Sequence, residues 1–154
     1  MDEDKINKLP PDVKKQFIKY ALKLSEKKKK TKVNDDFLTF VKHVWPEFIE
    51  GKHHKEIADK FNDIANKKIK RLIINMPPRH TKSEFASFLL PAWMVGRRPN
   101  LKIIQTTHTT ELAIRFGRKA KTLMDSQEYK EVFDTRLRED SQAAGKWETE
   151  QGGE

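Results

Sequence analysis

Residues 72–84 read Leu-Ile-Ile-Asn-Met-Pro-Pro-Arg-His-Thr-Lys-Ser-Glu, and they constrain this chain more than any other stretch. A short apolar run meets two prolines, which continue neither a helix nor an interior strand. Lys82 and Ser83 follow, then residues with helical apolar spacing. Strand, turn and helix in that order is what a phosphate-binding loop requires. The strand delivers the loop, the loop amides face the anion, and the helix adds the positive end of its dipole. As a pattern the motif is incomplete: in G-x-x-x-x-G-K-S/T, Met76 holds the first glycine position and Thr81 the second. Glycine serves there because the backbone must approach the phosphates closely and can need positive φ. Lys82 and Ser83 are intact, an ammonium for the β and γ phosphates and a hydroxyl for magnesium. The same residues also read as an ordinary strand-to-helix turn. Against that, a lysine in the first turn of a helix is electrostatically unfavourable, and the misfit favours a functional role.

A chain of 154 residues is long enough for one compact domain. The absence of cysteine removes a disulfide framework and a thiolate zinc site. No apolar stretch is long enough to span a bilayer, and Met-Asp-Glu-Asp-Lys at the start is not a signal peptide, so a soluble cytoplasmic protein is expected. A net charge of +9 and a pI near 9.6 point to a polyanionic partner. Much of the excess lies in Lys27, Lys28, Lys29, Lys30 and Lys32. That run reads as a solvated helix end or as a salt-sensitive contact with a phosphate backbone; the lack of interleaved aromatics favours the first.

Pro10 and Pro11 open a helical stretch with Val13, Phe17, Tyr20, Ala21 and Leu24 at helical spacing, running into the lysine cluster as a linker or arm. Asn34, Asp35 and Asp36 supply a cap for a helix bearing Phe37, Phe40, Val41 and Val44, which Trp45-Pro46 ends. A third helix over residues 52–66 places Ile57, Phe61, Ile64 and Ala65 on one side. Residues 71–76 and 101–107 read as buried strands. Residues 82–95 read as a helix kinked near Pro91, and another helix starts near Thr109, with Leu112, Ala113, Phe116, Ala120, Leu123 and Met124 on its buried face. A short helical turn is expected over 129–133 and a strand over 147–151. Helices alternating with buried strands predict an α/β fold, a parallel sheet flanked by helices, preceded by an N-terminal helical region.

Pro-Pro-Arg-His-x-Lys-Ser-Glu after a short apolar run resembles the phosphate loop of tailed-bacteriophage terminase large subunits. The likeness continues upstream through residues 48–57 (Phe-Ile-Glu-Gly-Lys-His-His-Lys-Glu-Ile) and downstream through 90–97 (Leu-Pro-Ala-Trp-Met-Val-Gly-Arg), 103–108, 116–119 and 147–149. It covers roughly residues 36–154, in order. It implies a DNA-packaging ATPase using ATP and magnesium, with an incomplete P-loop NTPase fold over 34–154 and a basic helical arm over 1–33. Met76, Pro77, Pro78, Arg79, His80, Thr81, Lys82 and Ser83 would then cradle the phosphates. Lys82 and Arg79 would act on the γ-phosphate, Ser83 would ligate magnesium, and His54 would lie on the adenine side. The implied partners are double-stranded DNA, the portal protein, the small terminase subunit and the remainder of a terminase chain, with no membrane. The implied location is the host cytoplasm, transiently at the procapsid portal and not in the virion. Thr81 is the departure, since the family ordinarily carries glycine there.

Other residues carry weaker signals. Glu84 reads as a helix-dipole partner in the first turn. His53 and His54 are adjacent on a helix, diverge, and have no partner four residues on, which argues against zinc. Gln105, Thr106, Thr107 and His108 close the second apolar run, where open α/β sheets place ligands, or where threonine simply caps a helix. Arg118, Lys119 and Lys121 form an exposed face or one turned to DNA.

Hydrolysis further needs an apolar strand ending in aspartate and a glutamate that activates water. The apolar runs here end in Asn75-Met76 and Thr106-Thr107 instead. In the resembling family the acidic strand and a nuclease domain come later than the match to Gly152-Gly153-Glu154. The expectation is therefore the N-terminal part of an ATPase domain, truncated before the acidic strand, that binds nucleotide weakly and turns it over hardly at all. The alternatives are a fragment of another helicase-like P-loop motor, a small basic DNA-binding or assembly module indifferent to Lys82, and a non-functional remnant with an exposed sheet edge.

Overall fold

The computed structural model of the chain describes residues 10–143 and 146–154. Two units divide it, Met1–Lys32 and Val33–Glu154. The described residues of the first form a helix, α1, Pro11–Asp35, whose last residues belong to the second unit. Pro11 opens it where a missing N–H costs nothing, and the Lys14 amide donates to the Pro10 carbonyl at 2.9 Å. The lysine cluster lies inside this helix and is not a linker. Val13, Ile18, Tyr20, Leu22 and Leu24 are exposed along it.

The second unit begins with α2, Phe37–Val44, capped by Asp36, whose carboxylate accepts from the Thr39 amide at 2.8 Å and the Thr39 hydroxyl at 2.6 Å. On α3, Lys52–Ala65, Asn62 accepts the Phe37 amide proton at 2.9 Å and donates to Asp36 at 2.9 Å, latching α3 to the start of α2. α3 ends in a Schellman turn: the Lys68 amide donates to the Asp63 carbonyl at 2.8 Å, with Lys67 left-handed at φ 62°.

The next helical run is continuous but changes pitch, through α4 (Lys82–Glu84), a π-helical turn (Phe85–Leu89) and α5 (Leu90–Arg97). Pro91 has no N–H to give, and the expected kink is taken up as a widened turn in which the Leu90 amide reaches back to the Phe85 carbonyl. α6, Thr110–Asp125, is capped by the Thr109 hydroxyl, which accepts from the Leu112 amide at 3.3 Å. α7, Gln127–Val132, is capped by Ser126. Strands β1, Leu137–Gln142, and β2, Trp147–Thr149, pair antiparallel with an irregular register.

Phe37 is central to the core. Its ring meets Phe61 at 5.1 Å and both Phe85 and Trp93 at 5.4 Å, each close to edge-on. All four rings are essentially inaccessible to solvent. The polar tips buried with this core are satisfied: the Trp93 indole donates to the Val33 carbonyl at 3.2 Å and the Tyr129 hydroxyl to the Ala92 carbonyl at 2.8 Å. A Cβ at Gly96 would lie 2.7 Å from the Phe133 ring and from the Tyr129 hydroxyl, so glycine is what lets α5 close on those aromatics.

The expected parallel sheet is not there. Residues 71–76 and 101–107 are not the buried strands expected: burial alternates along them, with Leu72, Ile74, Met76 and Ile103 packed on the core while Ile73 and Ile104 are 86% and 93% exposed. Among the described residues, neither segment joins a ladder. The exception is a single pair of bonds, the Ile103 amide to the Glu154 carbonyl at 2.6 Å and the Glu154 amide to the Leu101 carbonyl at 3.2 Å. Alternation selects the face that is buried, but hydrogen bonds to a neighbour make a strand. The fold is therefore mostly helical with one two-stranded antiparallel sheet, and not α/β. Among the described residues, no helix is long and apolar enough to cross a membrane.

Candidate functional site

The loop between the extended segment 71–76 and α4 takes its shape from two left-handed residues, Arg79 at φ 64° and Thr81 at φ 57°. Positive φ is uncommon outside glycine, and a β-branched residue there is an outlier. The chain thus adopts the backbone turn that the motif reserves for glycine, with threonine in the position. The loop closes on itself: the Lys82 ammonium donates to the Met76 carbonyl at 3.2 Å, and the His80 ring contacts the Pro78 carbonyl at 2.9 Å. Among the described residues, the amides of Arg79, His80, Thr81, Lys82 and Ser83 donate to no acceptor. Orphan amides at the start of a helix are the donors that a phosphate uses.

Helix α3 reaches this loop through His54. The Gly51 amide donates to His54 Nδ1 at 2.8 Å, and His54 Nε2 lies 2.6 Å from the Thr81 hydroxyl. That hydroxyl lies 2.7 Å from the His80 carbonyl, to which it donates. His54 is 6% exposed, edge-on to Phe48 at 4.8 Å and 5.1 Å from Phe85. Burial, followed by the nearby His53, holds its pKa below the ordinary 6.5, with Glu50 opposing and His80 adding to the depression. Glu50 is itself a half-buried carboxylate lowered by its bonds to Lys42 and Lys55.

The residues expected to form the site from Met76 to Ser83 do lie in one loop, and His54 joins them across the fold. Arg79 and Ser83 are exposed, while Lys82 is half-buried. Glu84 is paired: both its oxygens accept from the Lys119 ammonium on α6, at 2.9 and 2.8 Å. The Thr107 hydroxyl donates to the Thr109 carbonyl at 2.6 Å, which steadies the cap of α6. Sequence reasoning missed Gly51 and the Lys119–Glu84 pair. The Gly51-x-x-His54 spacing carried a signal, because a side chain at the third helical position folding back to the N-cap amide is a capping-box arrangement. A Cβ on Gly51 would sit 2.9 Å from the His53 ring and 3.4 Å from His54 Nδ1.

The donor set suits a magnesium nucleotide: free amides, a lysine and an arginine for phosphate oxygens, and the Ser83 hydroxyl for the metal. Among the described residues, no group of three or more histidine and carboxylate side chains is placed to hold a metal. Magnesium bound with a nucleotide does not require such a cage, since it keeps several waters and phosphate oxygens. No family model matches the sequence, and neither a curated protein nor a solved structure matches it.

Proposed function

We propose that residues 76–83 bind the triphosphate of magnesium-ATP and that the chain carries the nucleotide-binding part of a DNA-packaging motor of the terminase type. The observation that carries this reading is the closed loop at the helix start, with Lys82 resting on the Met76 carbonyl at 3.2 Å and the amides from Arg79 to Ser83 without acceptors among the described residues. A triphosphate would take Lys82 from that carbonyl and satisfy the amides together. Arg79, exposed at the crest of the loop, offers a guanidinium fork to the γ-phosphate. Ser83 would hold the magnesium that accompanies the nucleotide, whose chemistry is to neutralise phosphate charge.

Binding and turnover separate in this reading. Glu84, the carboxylate next to Ser83, is held on both oxygens by Lys119 and is not poised to activate water. The apolar segments end in Asn75-Met76 and Thr106-Thr107, so the hydrolytic carboxylates are supplied from outside them. The partners of the reading are double-stranded DNA, a portal protein and a small terminase subunit, met at the procapsid portal in the host cytoplasm. The exposed lysines of α1 favour a second reading, a basic module that holds a DNA backbone without nucleotide.

Calorimetric titration of magnesium-ATP into the wild-type chain and Lys82→Ala tests the first reading. Loss of charge-assisted phosphate bonds should weaken binding by about 10- to 100-fold with folding unchanged. Equal affinity in both proteins, or none in the wild type, sinks it. Salt-sensitive DNA binding indifferent to both ATP and Lys82→Ala would favour the second.

A further inference from the structure

Thr81 stands where a phosphate loop ordinarily has glycine, yet its backbone is left-handed at φ 57° and ψ 6°. Strain of that kind persists only where the surroundings over-determine it. Here the surroundings are one directional chain of hydrogen bonds. An amide N–H can only donate, so the Gly51 amide at 2.8 Å assigns the lone pair to His54 Nδ1. The proton of the neutral ring is then on Nε2 and points at the Thr81 oxygen, 2.6 Å away. The Thr81 hydroxyl passes its own proton to the His80 carbonyl at 2.7 Å. Each hydroxyl and ring position along the relay has one role, and reversing any of them would place two donors or two acceptors face to face. The ring cannot swing away, because Phe48 and Phe85 pack against it and Gly51 lies under it.

We propose that His54 is a positioning residue that holds Thr81 in the glycine-like conformation, so that His54 and Thr81 together replace the missing glycine of the phosphate loop. Both ring nitrogens are committed within the chain, and the influence of His54 on nucleotide passes through the loop backbone. The part of this inference that concerns binding rests on the reading of residues 76–83 as a phosphate loop. The part that concerns loop conformation does not.

A double-mutant cycle on the full chain, with His54→Phe, Thr81→Gly and the pair, separates the two. Phenylalanine fills the space between Phe48 and Phe85 while removing both hydrogen bonds, and His54→Ala serves as a second variant should the larger ring disturb folding. Urea midpoints without nucleotide read the conformational part. His54→Phe should cost clearly more beside Thr81 than beside Gly at that position, because glycine adopts positive φ unaided. Magnesium-ATP affinity reads the other part. His54→Phe should weaken binding by about tenfold with Thr81 present, the strain of one left-handed residue no longer held, and by almost nothing with Thr81→Gly. Equal costs in both backgrounds, in midpoint or in affinity, overturn the proposal; an equal loss of affinity would put His54 in direct contact with nucleotide. If even the wild type fails to bind magnesium-ATP, the functional reading falls, and the midpoints alone decide the positioning claim.

Discussion

Replacing Asn62 with alanine should cost this fold about 1.5–4 kcal/mol, although the side chain is only half-buried and lies at the edge of the apolar face of α3. The magnitude follows from what is left behind. Phe37 is fully buried, and its amide, at the first turn of α2, has no intrahelical acceptor; Asn62 accepts it at 2.9 Å. An unsatisfied buried N–H costs about 1–3 kcal/mol. The second bond, from the Asn62 amide group to Asp36 at 2.9 Å, adds about 0.5–1 kcal/mol because water can reach the half-exposed carboxylate. Urea unfolding followed by tryptophan fluorescence reads the sum, as a drop in midpoint of about 1–2 M at unchanged slope. Asp59→Ala, on the exposed side of the same helix, is the control and should stay within about 0.5 kcal/mol of wild type. Asn62→Asp sharpens the test. It keeps an acceptor for the Phe37 amide but sets a second carboxylate against Asp36, so the damage at neutral pH should ease as acid protonates one of the two. If Asn62→Ala moves the midpoint no more than the Asp59 control does, the latch between α2 and α3 is not what orders this junction.

Two further outcomes are expected. Lys67→Gly should raise stability by about 0.5–1 kcal/mol by relieving a left-handed lysine at the end of α3, measurable by the same unfolding curves, and a loss would mean the lysine chain packs more than its exposure suggests. The His54 pKa is depressed in the fold by burial and by the neighbouring His53, so the unfolded chain takes up this proton first as the solution is acidified. The stability it contributes is whole above the ordinary value of 6.5 and is lost as pH falls through the lower folded value. The slope of stability against pH in that window should be shallower in His54→Gln than in wild type, and identical slopes would contradict the assignment.

What the sequence could give was local. Helix positions followed from apolar spacing because a helix satisfies its own backbone, and Phe37, Phe40, Ile57, Phe61, Phe116 and Met124 are buried as that spacing requires. Asp36 acts as a cap where cap chemistry placed it, and α6 begins at the expected Thr109, which rather than Thr106 or Thr107 is its cap. The lysine run lies exposed in the last turns of α1, as its reading as a solvated helix end has it, and is not a linker, since lysine is a good helix former. The two apolar segments misled. They read as buried strands, yet Ile73 and Ile104 face outward, because a sheet is a relation between segments and no spacing within either one supplies a partner to cover the second face.

The loop from Met76 to Ser83 divides along the same line. By itself the sequence determined its chemistry: two prolines to stop the extended run, a lysine and a serine to open the helix, and a threonine where glycine is customary. Only the tertiary structure decided how that threonine is tolerated. A histidine in α3, 27 residues earlier, is buried against Phe48 and Phe85 and reaches its hydroxyl. Side-chain chemistry is carried by each residue, whereas a left-handed turn at a β-branched residue persists only when the surrounding contacts hold it, and those contacts exist only once the chain has folded.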